Sequence, residues 1–207
     1  MNKLQQYLLQ QRAHYSTWEF AVFAVLTLLS IVNGQTTVFY LIYFFWWNEL
    51  VRIIIDRFYY KKNHNAKVAN TGAKGIASSL FVMAIYFVFI VVFFGFFAVS
   101  KNKELIMVNM EVLFFHNWFF NANLLFIIIE RIYLHTTKQP LLVGFGGFTL
   151  NMIVIHISII LGAFMLFFIV KPFPNFFTPE NLWGSVLVAL PFVLLKMAGS
   201  YVMSKIN

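Results

Sequence analysis

Five apolar stretches of this 207-residue chain are each long enough to cross a lipid bilayer as a helix, and this feature constrains the fold more than any other. In hydrocarbon every backbone polar group needs an internal partner, which a helix supplies within each segment. Residues 18–33 form a shorter, sixth apolar stretch. The sequence therefore predicts an all-α, polytopic integral membrane bundle of six transmembrane helices over residues 18–207, preceded by an amphipathic cytoplasmic segment over residues 1–17. The predicted spans are residues 18–33, 36–59, 76–99, 106–134, 148–170 and 184–203.

The composition excludes several other classes of protein. With 61% hydrophobic and 11% charged residues, the chain lies outside the range of soluble globular domains. Its net charge of +8 comes from basic residues in the connections between apolar stretches, a distribution typical of membrane proteins. We therefore predict the lipid bilayer as a partner and no nucleic acid. The chain has no cysteine, which excludes disulfides and thiolate metal sites.

The distribution of Lys and Arg predicts the orientation of the bundle. With six spans, twelve basic residues fall on the side of the two termini, and Lys101, Lys103 and Lys171 fall on the other side. Cytoplasmic loops carry the excess of positive charge in membrane proteins. Both the N-terminus and the C-terminus are therefore predicted to be cytoplasmic.

The second predicted span carries a carboxylate where the membrane should be dry. Glu49 lies near mid-depth, and an ionised carboxylate there is costly unless it is protonated, paired or hydrated. Arg52 follows three residues later on the same helix face. Two interpretations are open: an ion pair within the helix, or a functional carboxylate that faces the bundle interior.

The fourth predicted span is the most polar. His116, Asn123 and Glu130 recur every seven residues, which places them on one stripe of a continuous helix, and Asn117 and Asn121 share a neighbouring stripe. Such stripes often supply hydrogen bonds between helices. This polar face is too wide for lipid, so we expect it to face other helices, a second copy of the chain or a water-filled cavity.

The last two spans add two ionisable residues. His156 lies within the fifth span and precedes Gly162 and Ala163, a small-residue pair suited to close helix contact. Lys196 lies about two turns from the cytoplasmic end of the sixth span. We expect its side chain to reach the headgroups, with an inward position as the alternative.

Glu49, His116, Asn123 and His156 fall at similar depths, so the sequence predicts a midplane polar site. Arg52 and Lys196 complete the candidates for ligand binding or proton relay. Glu49, His116 and His156 match the ligand chemistry of zinc, iron or copper, and the two histidines match that of a haem, although no cofactor is required by the spacing.

No catalytic residue can be assigned from the sequence. The His and Asn residues of the fourth span are similar to those of rhomboid proteases, but no Gly-x-Ser nucleophile motif follows in a later span. Asp56 is the only aspartate, which excludes a paired-aspartate protease. An intramembrane enzyme is therefore the least favoured class.

Short blocks of sequence carry a resemblance to a known family. Phe-Trp-Trp-Asn-Glu at residues 45–49, Phe-Phe-His at 114–116, the block around His156 at 153–164 and Leu-Leu-Lys at 194–196 resemble the motifs of an uncharacterised family of prokaryotic polytopic membrane proteins. The resemblance implies a multi-pass protein of the prokaryotic cytoplasmic membrane and brings no assigned activity. It supports the choice of Glu49, His116, His156 and Lys196, while Asn123 stands where the family tends to have a second histidine.

Two classes of function follow from these observations. In the first, the midplane site binds a cation, proton, metal or small ligand in a binding or transport role. In the second, the chain is a structural or accessory subunit of a homo-oligomer or a larger membrane complex, with the fourth-span stripe as its interface. The first class is favoured.

Overall fold

A computed structural model describes residues 24–25, 27–32, 36–62, 73–136, 150–178 and 181–206 of the chain. These residues form helices and short connections, with no strand in the described ranges. The helices are α1 (Val38–Lys62), α2 (Ala73–Phe89, continuing as a π-helix over Ile90–Phe97), α3 (Lys103–Leu113), α4 (Trp118–Thr136), α5 (Leu150–Phe164, continuing as a π-helix over Met165–Val170) and α6 (Leu182–Ile206).

The centre of the bundle is α1, which contacts each of the other five helices. All nine residues from Val38 to Trp46 are buried. A helix that is hydrophobic on every side is stable only when other elements surround it, and this explains why α1 shows no polar face in this region. The side chains that position any internal site therefore come from α1 and from the helices around it.

Five helical stretches of the described chain have the length and composition of membrane spans, as predicted. The α1 span, Val38–Ile55, is mostly buried inside the bundle, whereas the four outer spans bury a third or less of their residues. Their exposed side chains are largely Phe, Ile, Leu and Val, as a surface in contact with lipid requires. The described residues therefore form an all-helical bundle with the helix lengths and the apolar outer surface of a multi-pass membrane protein.

The first predicted span is described only in part. Residues 24–25 and 27–32 are helical, in agreement with a helix over residues 18–33. The predicted N-terminal segment, residues 1–17, lies outside the described residues. A sixth span and the side of each terminus therefore stay predictions.

The prediction of one continuous fourth helix is wrong, because the chain breaks between α3 and α4. Phe115 has a φ of 60°, a left-handed conformation that is rare for a bulky residue. The His116 N–H donates to the Glu111 carbonyl at 2.7 Å, and the Phe115 N–H donates to the Val112 carbonyl at 3.2 Å. This is the Schellman pattern of a helix end, with phenylalanine at the position that glycine usually occupies.

One end of the bundle is called the Lys101 end here. It contains the start of α1, the turn that joins the π-helix of α2 to α3, residues 171–178 after α5, and the start of α6. Side chains from all these segments line two adjoining spaces at this end.

Candidate functional site

Glu49 is fully buried and paired with Arg52 on the next turn of α1. The Arg52 guanidinium donates two hydrogen bonds, from Nε to Glu49 Oε2 at 2.8 Å and from Nη2 to Oε1 at 2.5 Å. This bidentate geometry is the strongest form of Arg–carboxylate contact. The structure therefore favours the ion pair within the helix over a carboxylate that is open to a ligand.

Lys196 lies inside the bundle rather than extending towards the headgroups. Its side chain is 9% exposed, and Nζ lies 5.9 Å from the centre of the Phe45 ring on α1. Phe45 also contacts Phe192, one turn before Lys196. The expectation of a headgroup-seeking lysine is therefore wrong, because the face of α6 that carries Lys196 packs against α1.

The asparagines of the fourth span stabilise the helix break. Asn117 caps the start of α4, where its Oδ1 accepts the Phe120 N–H at 2.9 Å. Asn121 Nδ2 donates to the Phe115 carbonyl at 2.6 Å. Both side chains thus satisfy backbone groups that the break leaves without helical partners, a necessity within hydrocarbon. His116 lies at the break and is exposed, so it does not share a helical stripe with Asn123.

Asn123 belongs to a buried hydrogen-bond network around α1. Its Nδ2 donates to the Tyr40 hydroxyl at 3.0 Å, and both side chains are almost fully buried. Thr36 Oγ1 donates to Ser30 Oγ at 3.0 Å nearby, and Tyr40 also bonds to Ser30. The network joins the N-terminal helical segment, α1 and α4, as hydrogen bonds between membrane helices do.

His156 pairs with Tyr86 at the outer surface of the bundle. The Tyr86 hydroxyl lies 3.2 Å from His156 Nδ1, and the imidazole is exposed. His156 therefore does not face Glu49 across the interior.

The predicted metal set is not assembled. No group of three or more His, Asp and Glu side chains is close enough to hold a metal ion in the part of the chain that the structure describes. Glu49 is bound to Arg52, His116 lies at the helix break and His156 lies beside Tyr86. The four midplane candidates thus lie in separate local environments rather than in one pocket, and Arg52 shares that of Glu49.

A different candidate site lies at the Lys101 end. An open cleft of about 680 Å³ is lined by Lys101, Lys103 and Lys171, with Glu104 as the acidic residue among its described lining. These lysines are the three basic residues that the predicted orientation assigns to the non-cytoplasmic side. Asn102 and Glu104 set the start of α3: Asn102 Oδ1 accepts the Leu105 N–H at 3.1 Å, and Glu104 occupies the first turn. The cleft therefore carries a net positive charge.

A small, mainly apolar cavity of about 40 Å³ adjoins the cleft and has room for about three water molecules. The two spaces share wall residues on α3, on the π-helix of α5 and on the loop after it. Hydroxyl and amide groups supply the polar part of the cavity lining, from Thr36, Thr37, Asn109, Thr178 and Ser185. The cleft therefore adjoins a small cavity that contains a few hydroxyl and amide groups.

Asn109 fixes the geometry of this cavity. Its Oδ1 accepts a hydrogen bond from Thr37 Oγ1 at 2.8 Å, and its Nδ2 lies 3.3 Å from the carbonyl oxygens of Phe94 and Gly95. Those carbonyls belong to the π-helix of α2. Because π-helices are rare and frequently occur at functional sites, the two π-helical segments beside the cavity support the Lys101 end as the candidate functional site.

Comparison with known proteins finds no match: no family model, no curated protein and no solved structure matches this chain. The function is therefore argued from the site itself. The sequence predicts that Lys101, Lys103 and Lys171 lie on the same side of the membrane, but their convergence on one cleft was not predicted. The available signal was that all three flank connections on the same predicted side.

Proposed function

We propose that this multi-pass membrane protein binds an anionic ligand in the Lys101-end cleft, in a binding or transport role. The observation that carries the proposal is the convergence of Lys101, Lys103 and Lys171 on one cleft. Lysine ammonium groups attract phosphates and carboxylates, and a cleft lined by one sign of charge raises the local concentration of the opposite ion.

The placement of these lysines supports a role in ligand binding more than a role in orienting the protein in the membrane. Membrane proteins keep most Lys and Arg on the cytoplasmic side, so basic residues on the other side work against that preference. With the predicted orientation, the cleft opens on the extracytoplasmic face of a prokaryotic cytoplasmic membrane. The prokaryotic family that the sequence resembles has no assigned activity, so this proposal stands on geometry and charge alone.

The midplane residues have a different role in this proposal. The Glu49–Arg52 pair lies on the central helix α1, and Lys196 packs against that helix from α6. A ligand at the Lys101 end would contact neither of them. The expected cation, proton or metal site at midplane is therefore replaced by an anion site at one end.

The test is anion binding by the purified protein in a neutral detergent. Glycerol 3-phosphate is titrated into the wild type and into the triple variant Lys101→Gln, Lys103→Gln, Lys171→Gln, and the melting temperature is followed by tryptophan fluorescence. We expect the ligand to raise the melting temperature of the wild type and to have little effect on the triple variant. The rise should shrink in high salt, because exposed charges are screened.

The matched control removes three positive charges that the sequence places at the opposite end, with Lys61→Gln, Lys67→Gln and Lys138→Gln. This variant should respond to glycerol 3-phosphate as the wild type does. A response that survives in the first triple variant, or a wild type that shows none, overturns the proposal. An equal loss in both variants would indicate a general charge effect and would also overturn it.

A second candidate function is assembly, which the exposed Tyr86–His156 pair favours. Polar side chains on a lipid-facing surface are expensive, so a second copy or another subunit that covers this pair would relieve the cost. The fourth-span stripe is less suitable as an interface, because Asn123 faces Tyr40 inside the same chain. Native mass spectrometry tests this candidate: it requires an oligomer that His156→Leu converts to monomer, and a monomeric wild type would exclude self-assembly.

A further inference from the structure

We infer that the anionic ligand of the Lys101-end cleft is a membrane lipid with an anionic headgroup, whose acyl chain lies in an apolar groove along α2. This inference rests on the proposed function and names the class of ligand. It is carried by the position of the groove, which leads towards Lys171, and by the mixed polar and apolar lining of the cleft.

The groove lies on one face of α2 and is almost entirely apolar. Its lining residues recur at spacings of three and four, which places them on a single helix face. Most of them are strongly exposed, and Ala84 is the smallest residue among them. The groove is lined by Phe81, Ala84, Ile85, Val88, Phe89, Val92, Phe93 and Phe97.

Aromatic contacts connect the groove to the cleft. Phe93, which lines the groove, lies 5.9 Å from Phe167 between ring centres. Lys171 Nζ lies 4.1 Å from the centre of the same Phe167 ring, and Lys171 lines the cleft. The last groove residue, Phe97, is directly followed in the chain by Ala98, which lines the cleft. A molecule that follows the groove towards the Lys101 end therefore reaches an ammonium group.

The dimensions fit a lipid. From Phe81 to Phe97 the helix rises about 20 Å, since its π-helical part advances less per residue than an α-helix, whereas the hydrocarbon of one leaflet is about 15 Å thick. The groove is therefore long enough for an acyl chain. The cleft, at about 680 Å³, falls in the size range of small-molecule pockets, and its apolar side, with Leu166, Val170 and Phe177, suits the glycerol region of a lipid.

The charge of the cleft selects among lipids. A zwitterionic headgroup carries a cation beside its phosphate, and this cation would lie next to the lysines. An anionic headgroup places only negative charge there, and each basic residue near an anionic lipid contributes about a fivefold increase in affinity. We therefore expect preference for an anionic lipid over a zwitterionic lipid with the same acyl chains.

The experiment compares phosphatidylglycerol with phosphatidylcholine of the same acyl chains. Native mass spectrometry counts the lipids that stay bound to the detergent-purified protein after incubation with each. The wild type should retain phosphatidylglycerol at least about tenfold better, and the triple lysine variant should lose this preference.

The variant Ala84→Trp tests the groove, because Ala84 is exposed and a tryptophan there would fill the groove. The control is Ala198→Trp, which places the same side chain at an exposed position on α6 outside the groove. Ala84→Trp should lower phosphatidylglycerol retention about tenfold and leave the response to glycerol 3-phosphate unchanged, whereas Ala198→Trp should alter neither. Equal retention of the two lipids by the wild type, or full retention by Ala84→Trp, overturns the lipid inference and leaves anion binding standing. Loss of the glycerol 3-phosphate response in the wild type overturns the proposed function itself.

Discussion

Replacing Arg52 by methionine should destabilise the protein strongly, because Glu49 is fully buried and would lose the two hydrogen bonds that Arg52 donates to it. Breaking a buried ion pair by removing one member typically costs about 3–5 kcal/mol. Glu49→Gln keeps the shape of the side chain and removes its charge. The double variant Glu49→Gln, Arg52→Met removes both charges and should be more stable than the sum of the two single effects predicts.

The magnitude follows from distance and burial. Two unit charges about 4 Å apart interact by about 4 kcal/mol in surroundings of intermediate polarity, and the guanidinium and carboxylate groups here are in direct contact. An exposed pair at the same helical spacing would contribute only about 0.3–0.5 kcal/mol. Because Arg52 is 11% exposed and Glu49 is not exposed at all, we expect a coupling energy of about 3 kcal/mol.

A double-mutant cycle in mixed detergent micelles measures this coupling. Unfolding of the four proteins is followed by the fluorescence of the tryptophans, two of which, Trp46 and Trp47, lie within one turn of Glu49 in the sequence. The cycle isolates the pair because both replacements avoid new charges. A coupling energy below about 1 kcal/mol would refute the reasoning, since it would mean that the buried pair behaves as an exposed one.

Three further predictions concern packing, backbone strain and hydrogen bonding. Gly162→Ala should lower the melting temperature more than Gly95→Ala does. A Cβ at Gly162 would overlap Ile42 on α1, whereas a Cβ at Gly95 would lie 3.4 Å from Phe39, an ordinary contact. Equal melting temperatures of the two variants would contradict this prediction. Phe115→Gly should be more stable to denaturant than Phe115→Ala by about 1 kcal/mol, because both lose the ring and only glycine relieves the positive φ; a more stable alanine variant would argue against the strained turn. Tyr40→Phe should cost about 1 kcal/mol in the same unfolding assay, because it leaves Asn123 without its hydroxyl partner, and an unchanged stability would exclude a contribution from this bond.

The positions of the spans and the ion pair on α1 were predictable because they depend on local sequence. Apolar runs of about twenty residues indicate membrane helices, and five such stretches are present in the described chain. A spacing of three residues places Arg52 on the face of Glu49 whatever surrounds the helix. Gly162, the small residue chosen for close helix contact, does lie against α1.

The helix break and the rotation of the outer helices were not predictable in the same way. The break has no Gly or Pro to mark it, and its left-handed position is occupied by Phe115, a residue that rarely adopts it. Asn117 and Asn121 were visible, but an asparagine that caps a helix and one that joins two helices look alike in sequence. His116, His156 and Glu49 would have converged only with a specific rotation of three helices about their own axes. The hydrophobicity of the sequence does not predict this rotation, because nearly every face of these helices is apolar.

The Lys101 end combines features that would otherwise work against stability. Two helices leave regular α-helical geometry there, since the π-helices of α2 and α5 both end beside the cleft. Asn109 Nδ2 donates to the carbonyls of Phe94 and Gly95 in the π-helix of α2, and Asn109 Oδ1 accepts a hydrogen bond from Thr37. A bundle stabilised only by apolar packing has no need of this polar support at one end. The irregular backbone, the buried Asn109 and the three lysines thus lie at the same end of the bundle, and the proposed anion site explains all three features together.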